Sequence, residues 1–320
     1  MIKNIQMTKA HIYLFSDACP SDWLVSGNDN VWHTIVNFVF QSDPNLYPLI
    51  GKGCSHEEVL PKDEIYNRFV TAIQSELRGN KLQKWKSGGD YKKRFCDAFA
   101  AVVPEFTPII SACSYQEKTL RESKTALLNS YNNLIGGVEG RGIGFSETLD
   151  DQGRNQMTHS FMNFNGLQQI HAPENKMLVL LMMSWFVADQ YVFFFNQIVR
   201  SGQYGFSDLE LTVISDMLSG DNGDSRKGSE QNLRNLIDPN GEGEALVLTR
   251  SVRSDTFSGD LLADNLAGWL TSAISDPTSE YAEYAKDLIP TGVWSGWHQL
   301  VQSDLKLDSI KGVSRLILHL

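Results

Sequence analysis

The sequence predicts an α/β protein, because short strand-like runs alternate with segments of helical spacing. Residues 10–15 and 31–40 are rich in β-branched and aromatic side chains, which is typical of strands. Runs of the same kind recur at 107–115, 209–216 and 245–248. Strands and helices that alternate along one chain favour a layered α/β architecture over an all-helical or an all-strand fold.

Helical spacing is clearest at 61–73, where Ile65, Phe69 and Ile73 recur at every fourth position. We expect further helices from similar spacing at 91–103, 118–135, 174–200, 232–237 and from 260 onward. A glycine-rich loop at 136–144 is followed by polar residues, so 136–173 is predicted to be an irregular insertion or a mobile lid. The expected organisation is one domain at 1–276 and a helical extension at 277–320 packed on it.

The composition indicates a packed, acidic protein. The chain has 320 residues, of which 42% are hydrophobic, enough for one large domain with elaborations or for two small domains. The net charge of −10 does not favour a dedicated nucleic-acid binder, although an enzyme acting on DNA or RNA can confine its basic residues to one face. The four cysteines are widely spaced, so we expect free thiols in a reducing cytoplasm.

One apolar run, at 177–195, approaches the length of a membrane span. Asp189 and Gln190 interrupt it, whereas a span needs about 20 clean apolar residues. We therefore predict a buried central helix and no membrane partner. Residues 1–15 lack the apolar core and cleavage site of a signal peptide, which also favours a cytoplasmic location.

Three acidic residues lie at or near the ends of predicted strands. Asp17 ends the first strand, Asp216 ends the strand at 209–216, and Asp264 lies in an apolar helical run after the last strand. Asp264 is either a half-exposed helix residue or a carboxylate directed into a site, because burying an unpaired carboxylate is costly. Sites in open α/β sheets form outside the carboxyl ends of strands, and gathered carboxylates suit Mg²⁺ or Mn²⁺. Two such ions can promote phosphodiester cleavage.

The strongly basic segment of this acidic chain lies at 75–95. Basic residues interleaved with aromatic rings suit a phosphate backbone and unstacked bases. The residues predicted to contact a nucleic acid are Arg78, Lys81, Lys84, Trp85 and Lys86. The alternative for this segment is a solvated helix face followed by a loop.

Four short elements follow one another in a characteristic order: YLFSD at 13–17, ELRGNK at 76–81, LTVISD at 211–216 and LLADNLAGWL at 261–270. This order resembles the large uncharacterised bacterial family with a ribonuclease H-like fold. In that family a strand ends in Asp-Glu-Ser-Gly, and a closing helix reads Leu-Ala-Asp-Leu-Leu-Ala-Gly. Here Ala18 stands where the family has Glu.

The resemblance implies a ribonuclease H-like mixed sheet flanked by helices, and a metal-dependent nuclease in a phage-defence or mobile-element setting. The catalytic residues, which would also hold Mg²⁺ or Mn²⁺, would be Asp17, Glu76, Asp216 and Asp264. Either Glu76 would then supply the second carboxylate in place of the family's Glu, or activity would be weakened. The expected partner is a nucleic acid, either DNA or RNA.

The sequence is also compatible with two other functions. A non-catalytic ribonuclease H-like module would bind a nucleic acid, a partner protein or a second copy of the chain, and Ala18 favours it. A hydrolase could use Asp150 and Asp151, although adjacent residues of a strand point to opposite faces. His33 and His171 are candidate bases, but a lone histidine in a strand or loop is more often structural.

Overall fold

The computed structural model describes residues 9–19, 30–41, 64–78, 81–106, 109–129, 144–163, 166–202, 205–215, 233, 246–250, 258–288 and 294–299. The strands are β1 (Lys9–Cys19), β2 (Trp32–Gln41), β3 (Ile109–Gln116), β4 (Gly144–Leu149), β5 (Asn155–Asn163), β6 (Gly166–Pro173), β7 (Asp208–Ile214), β8 (Leu246–Arg250) and β9 (Trp294–Gln299). The helices are α1 (Glu64–Glu76), α2 (Tyr91–Phe106), α3 (Glu117–Glu122), α4 (Glu174–Phe194), α5 (Ser258–Ser275) and α6 (Glu280–Leu288).

The main sheet is mixed. Among the described residues it has six strands in the order β8-β7-β1-β2-β3-β9. Strand β2 runs antiparallel to both of its neighbours, while β7, β8 and β9 run parallel to the strands that they join. The carboxyl ends of all strands except β2 therefore lie at one edge of the sheet. Strand β1 continues to Cys19, so Asp17 lies inside the strand near that edge and not after it.

Two layers of helices cover the two faces of the sheet, as expected for an α/β protein. Side chains alternate along β1, so Tyr13 and Phe15 join the core with α1, α2, α5 and α6. Ile12 and Leu14 join the opposite core with α4. Helix α5 packs across β1 and β2, which brings the late part of the chain against its first two strands.

Helix α4 continues through a π-helical turn, Phe195–Arg200, and is a core helix as predicted. The stretch Glu174–Arg200 is long and apolar enough to cross a membrane, but 72% of its most apolar window is buried inside the protein. Trp185, for example, is 1% exposed. A helix that is apolar all round belongs in the interior of a large domain, and α4 fills that role between the main sheet and a second, smaller sheet.

The predicted irregular insertion contains regular structure. Strands β4, β5 and β6 form an antiparallel sheet of three strands within the described residues. Sequence patterning missed it because β4 leaves most of its side chains in solvent, which weakens the alternation of apolar and polar residues. The predicted loop residues 136–143 lie outside the described residues.

The predicted helical extension is also only partly helical. Helix α6 is followed by β9, which pairs in parallel with β3 and thereby belongs to the main sheet. Residues 300–320 lie outside the described residues, as does the predicted helix at 232–237 apart from Leu233. The other predicted helices and strands that fall on described residues are present, with bounds shifted by a few residues or, for the helix at 118–135, broken by a turn at Ser123.

Asp189 is the acidic residue within the apolar run of α4, and its surroundings are largely apolar. Burial raises the pKa of its carboxyl group from 3.8 to about 7. Between these two values the folded protein holds a proton that the unfolded chain has released. The free energy of unfolding contributed by this group is therefore greatest below the unfolded pKa and falls as the pH rises through the folded pKa.

We expect Asp189→Asn to raise the free energy of unfolding at about pH 8 by at most roughly 4 kcal/mol, because the amide cannot ionise. Near pH 4 the substitution is expected to change little. Urea unfolding across this range measures the difference, with Asp151→Asn in an exposed turn as the control. Parallel pH profiles for Asp189→Asn and the parent protein would show that Asp189 is ordinarily solvated.

Candidate active site

The candidate site lies at the carboxyl end of β1, on the face of the sheet that α5 covers. Asp17 is 7% exposed, and its Oδ1 accepts a hydrogen bond from the backbone N–H of Ala18 at 2.7 Å. Asp264 lies in the second turn of α5 and is half-buried. Its Oδ2 accepts a hydrogen bond from the backbone N–H of Trp85 at 2.7 Å. The sequence left Asp264 as either a half-exposed helix residue or a carboxylate directed into a site, and the structure shows it half-buried with its carboxylate bonded to a backbone N–H.

The pKa of the Cys19 thiol is affected by both carboxylates, Asp17 and Asp264. Burial raises the pKa of this thiol to about 11, and the charges of Asp264 and Asp17 act in the same direction. A hydrogen bond from Thr271 and the charge of Lys92 act in the opposite direction. Asp17, Asp264 and Lys92 therefore all lie within electrostatic reach of one atom. A thiol with this pKa stays protonated at neutral pH, so Cys19 is not a nucleophile here.

Gln83 and Trp85 are fixed to α5 by hydrogen bonds between their backbone groups and its side chains. Besides the bond between Trp85 and Asp264, the Asn265 side chain donates to the carbonyl of Gln83 at 2.6 Å. The Tyr91 hydroxyl accepts from the N–H of Gln83 and donates to its carbonyl, both at 2.9 Å. The segment that was predicted to bind nucleic acid is thus held at two of its residues against the helix that carries Asp264.

Trp85 is a packing residue, which corrects its predicted role as a stacking platform. Its side chain is 6% exposed and lies over Gly268, one helical turn after Asp264. The ring also contacts Tyr281 edge-on, with centroids 5.5 Å apart. A base cannot stack on a ring that is already covered, so the aromatic part of the predicted nucleic-acid surface is internal.

The predicted basic residues of this segment differ in exposure. Arg78, Lys81 and Lys86 are exposed, and Lys84 is half-buried just before the short 3₁₀ turn Trp85–Ser87. Arg78 has a positive φ of 55°, and its N–H donates to the Ser75 carbonyl at 2.8 Å, so it also ends α1. The charges are therefore accessible on a segment whose backbone is fixed, which suits the binding of a phosphate backbone.

Glu76 and Asp216 are not joined to the carboxylate pair by the described contacts. Glu76 is the last residue of α1 and its side chain is exposed. Asp216 lies outside the described residues. Within the ranges that the structure describes, no three His, Cys, Asp or Glu side chains are close enough to hold a metal ion. Of the four predicted acids, Asp17 and Asp264 both raise the pKa of the Cys19 thiol.

Sequence reasoning missed the residues that hold this site together. Lys92 was visible as part of the basic segment, but nothing in its spacing distinguished it from Lys93 or Arg94. Gly268 and Thr271 follow Asp264 by four and seven residues, which places all three on one face of α5. A helical wheel centred on Asp264 would have found them, although not their partners.

The other candidate residues have structural roles. Asp150 binds the side chain of Arg154 at 2.7 Å in the β4–β5 turn, and backbone and side-chain hydrogen bonds from Arg154 lower the pKa of its carboxyl group. His33 stacks on Tyr115 with ring centroids 5.5 Å apart, and burial lowers the pKa of its imidazole to about 4. His171 hydrogen-bonds Thr158 across two strands at 2.7 Å. None of these contacts belongs to the site beside Cys19.

The described residues define an α/β protein with a mixed sheet, with Asp17 near the carboxyl edge of that sheet and Asp264 on the helix that covers it. Comparisons with protein-family models, with curated proteins and with solved structures found no match for this chain.

We expect Gly268→Ala to lower the free energy of unfolding by roughly 1–3 kcal/mol, the usual cost of overpacking. The added Cβ would overlap Cγ and Cδ1 of Trp85 and lie 2.8 Å from its Cβ. Chemical unfolding would measure this loss. Gly144→Ala is the control, because its new Cβ would meet nothing within 4 Å. A stabilised Gly268→Ala protein, as helix propensity alone would give, would contradict the close contact with Trp85.

Proposed function

We propose that this protein is a divalent-metal-dependent nuclease that hydrolyses phosphodiester bonds of DNA or RNA. The supporting observation is the pair of carboxylates, Asp17 and Asp264, that act on the same buried thiol at the carboxyl edge of the sheet. Like charges gathered in a partly buried place repel one another unless a cation compensates them. That two acids from opposite ends of the chain act on one thiol supports the proposal of a cation site.

We propose Mg²⁺ or Mn²⁺ as the ion of this site. Magnesium is commonly held by one or two carboxylates, with waters and substrate phosphates completing its octahedral shell. Asp17 and Asp264 are the proposed ligands from the described residues. When bound, such an ion polarises a phosphoryl oxygen and lowers the pKa of a coordinated water.

Asp216 and Glu76 are the further proposed ligands. Asp216 follows Ile214 by two residues, and Asp17 follows Phe15 by two. Phe15 and Ile214 are register partners in the parallel pair β1–β7. This equivalence in sequence supports Asp216 as a further acid of the site, while Glu76 is supported by the family resemblance alone.

Other residues of the chain are proposed to position the nucleic acid. Asp264 fixes the backbone at Trp85, so the exposed cations beside it have a defined position relative to the acids. Arg78, Lys81, Lys84 and Lys86 are proposed to contact the phosphates that flank the scissile bond. Such contacts orient a nucleic acid without reading its sequence.

The resemblance to the ribonuclease H-like bacterial family belongs to the same proposal. The mixed sheet flanked by helices is compatible with the architecture that this resemblance implies. Within the described residues, Cys19, Cys96 and Cys113 are free thiols, which supports a reducing cytoplasm as the compartment.

Ala18 stands where the family has Glu, and we propose that this difference has little effect on activity. Its side chain is 3% exposed and belongs to the core on the α4 face, opposite to the face that carries Asp17. A glutamate at this position of β1 would point away from Asp264. The Asp17–Asp264 pair is thus compatible with alanine here.

A non-catalytic binding module is the second candidate function. The observation that favours it is the hydrogen bond between Asp264 and the Trp85 N–H, which gives this carboxylate a structural role independent of any metal. In that case the basic segment would bind a nucleic acid or an acidic protein surface without cleaving it.

We expect Asp17→Asn and Asp264→Asn each to reduce Mg²⁺-dependent cleavage to background, because either change removes a ligand charge. The side-chain amide in Asp264→Asn would retain an oxygen that accepts from the Trp85 N–H, so the fold should survive. Cleavage of labelled single- and double-stranded DNA and RNA with Mg²⁺, Mn²⁺ or EDTA is the measurement.

Asp151→Asn, which removes an exposed carboxylate elsewhere, is the control and should cleave like the parent protein. Parent-like cleavage by both site variants would refute the metal-site assignment. Nucleic-acid binding without cleavage under any metal condition would instead establish the binding module.

The double variant Lys84→Glu/Lys86→Glu is expected to weaken nucleic-acid binding and to reduce the slope of log K against log salt by roughly 1.5, as two phosphate contacts are lost. Fluorescence anisotropy with an oligonucleotide in EDTA measures both effects. Lys118→Glu/Lys176→Glu makes the same change in net charge at exposed lysines on other elements. Equal weakening in the two double variants would place the binding surface elsewhere.

A further inference from the structure

Three polar residues form a row across the middle of the main sheet. Ser16, Asn37 and Ser111 lie on the adjacent strands β1, β2 and β3, and they are register partners. Each of them is at most 1% exposed. Side chains alternate along a strand, and Leu14 and Cys113 belong to the core under α4, so the row lies on that face too. The row is therefore a polar element inside the apolar core that α4 covers.

The polar atoms of the row lack partners in the part of the chain that the structure describes. No described residue forms a hydrogen bond with the hydroxyl of Ser16, with the hydroxyl of Ser111, or with the oxygen or nitrogen of the Asn37 amide. Burying a hydroxyl or an amide without a hydrogen bond costs free energy, so native proteins pair almost all such groups with protein atoms or ordered water. The row therefore needs a partner that the described residues do not supply.

The opposite face of the same two strands provides a comparison. Thr34 and Ser114 are also register partners of β2 and β3 and are also fully buried, and their hydroxyl groups form a hydrogen bond of 2.7 Å. Asn37 and Ser111 have the same register relation but form no such bond. The spacing of the strands alone therefore does not account for the unpaired row.

Helix α4 covers the row. At its amino end Asn175 donates to Glu117, directly after β3, at 3.4 Å, and near its carboxyl end the Tyr191 hydroxyl donates to the Leu209 carbonyl on β7 at 3.3 Å. The helix thus crosses from β3 to β7, over β2 and β1 between them. Trp185, within this span, is 1% exposed, and its indole N–H forms no hydrogen bond with a described residue. Bulk solvent is therefore excluded, and the partner of the row has to be an internal molecule.

We propose that water molecules bind between α4 and the sheet and bridge Ser16, Asn37 and Ser111. Side chains directly opposite each other in antiparallel strands have Cβ atoms about 4.5–5.5 Å apart. A water that forms hydrogen bonds of about 2.8 Å to both neighbours spans such a gap. Hydroxyl and amide groups offer donors and acceptors without net charge, which favours water over an ion. Buried waters usually make about three hydrogen bonds, a number that this row can supply.

This inference goes beyond the proposed nuclease and does not depend on it. Ser16 and Asp17 are adjacent in β1, so their side chains lie on opposite faces of the sheet. The waters would pair the polar groups of the α4 face, whereas Asp17 lies on the α5 face. Metal-dependent cleavage is consequently no readout of the water site.

The experiment compares internal hydration in Asn37→Leu and Ser114→Ala. Magnetic relaxation dispersion of the water signal detects water molecules that stay bound for longer than the protein takes to tumble. Leucine keeps a branched side chain of similar shape but forms no hydrogen bonds, so the dispersion amplitude should fall by about one water or more. Ser114→Ala is the matched control and should retain the amplitude of the parent protein, because it removes a hydroxyl group that is bonded directly to Thr34.

Urea unfolding of Ser16→Ala and Ser111→Ala is the second readout, and the relaxation measurement is repeated on the double alanine variant in case Asn37→Leu does not fold. Each alanine would remove a hydrogen bond to a bridging water, so the urea midpoint should fall in both variants. A buried hydroxyl with no partner would give the opposite result, because its removal relieves an unpaired group. An unchanged or raised midpoint in either variant, or a parent-like relaxation amplitude in Asn37→Leu or the double variant, would overturn the proposal.

Discussion

The hydrogen bond between the Trp85 N–H and the Asp264 carboxylate is the contact on which the site depends. It joins the middle of the chain to a late helix, and through the Trp85 ring it also sets the position of Lys92. A hydrogen bond to a charged acceptor is stronger than a neutral one, and a buried N–H left without a partner is costly. One carboxylate thus organises the basic segment and contributes negative charge to the same place.

That double role explains why the site is asymmetric. Asp17 is a nearly buried strand residue whose neighbours are set by the sheet, whereas Asp264 is half-buried on a helix and is engaged by a loop. Lys92 lowers the pKa of the same Cys19 thiol that the two carboxylates raise, and β1 and α5 are locked together by apolar packing.

The alternation of side chains in β1 separates this site from the rest of the core. Asp17 faces α5, while Ala18 and Leu14 face α4 and its apolar interior. The α4 face has its own ionisable group in Asp189, whose raised pKa follows from burial and not from the carboxylate site. The sheet therefore separates the candidate site on one face from helix α4, whose apolar side chains pack on the other face.

Local patterns in the sequence were sufficient to predict the α/β class and the buried nature of α4, because period and composition encode local structure and burial. The same patterns did not predict the sheet β4–β6, because an exposed strand such as β4 alternates only weakly between apolar and polar residues. They also did not predict strand β9, because its pairing with β3 joins residues far apart in the chain. The folded protein alone establishes that Trp85 is internal, that its N–H donates to Asp264, and that Glu76 lies on an exposed helix end. These relations depend on contacts between residues far apart in the chain, and spacing along a sequence carries no information about them.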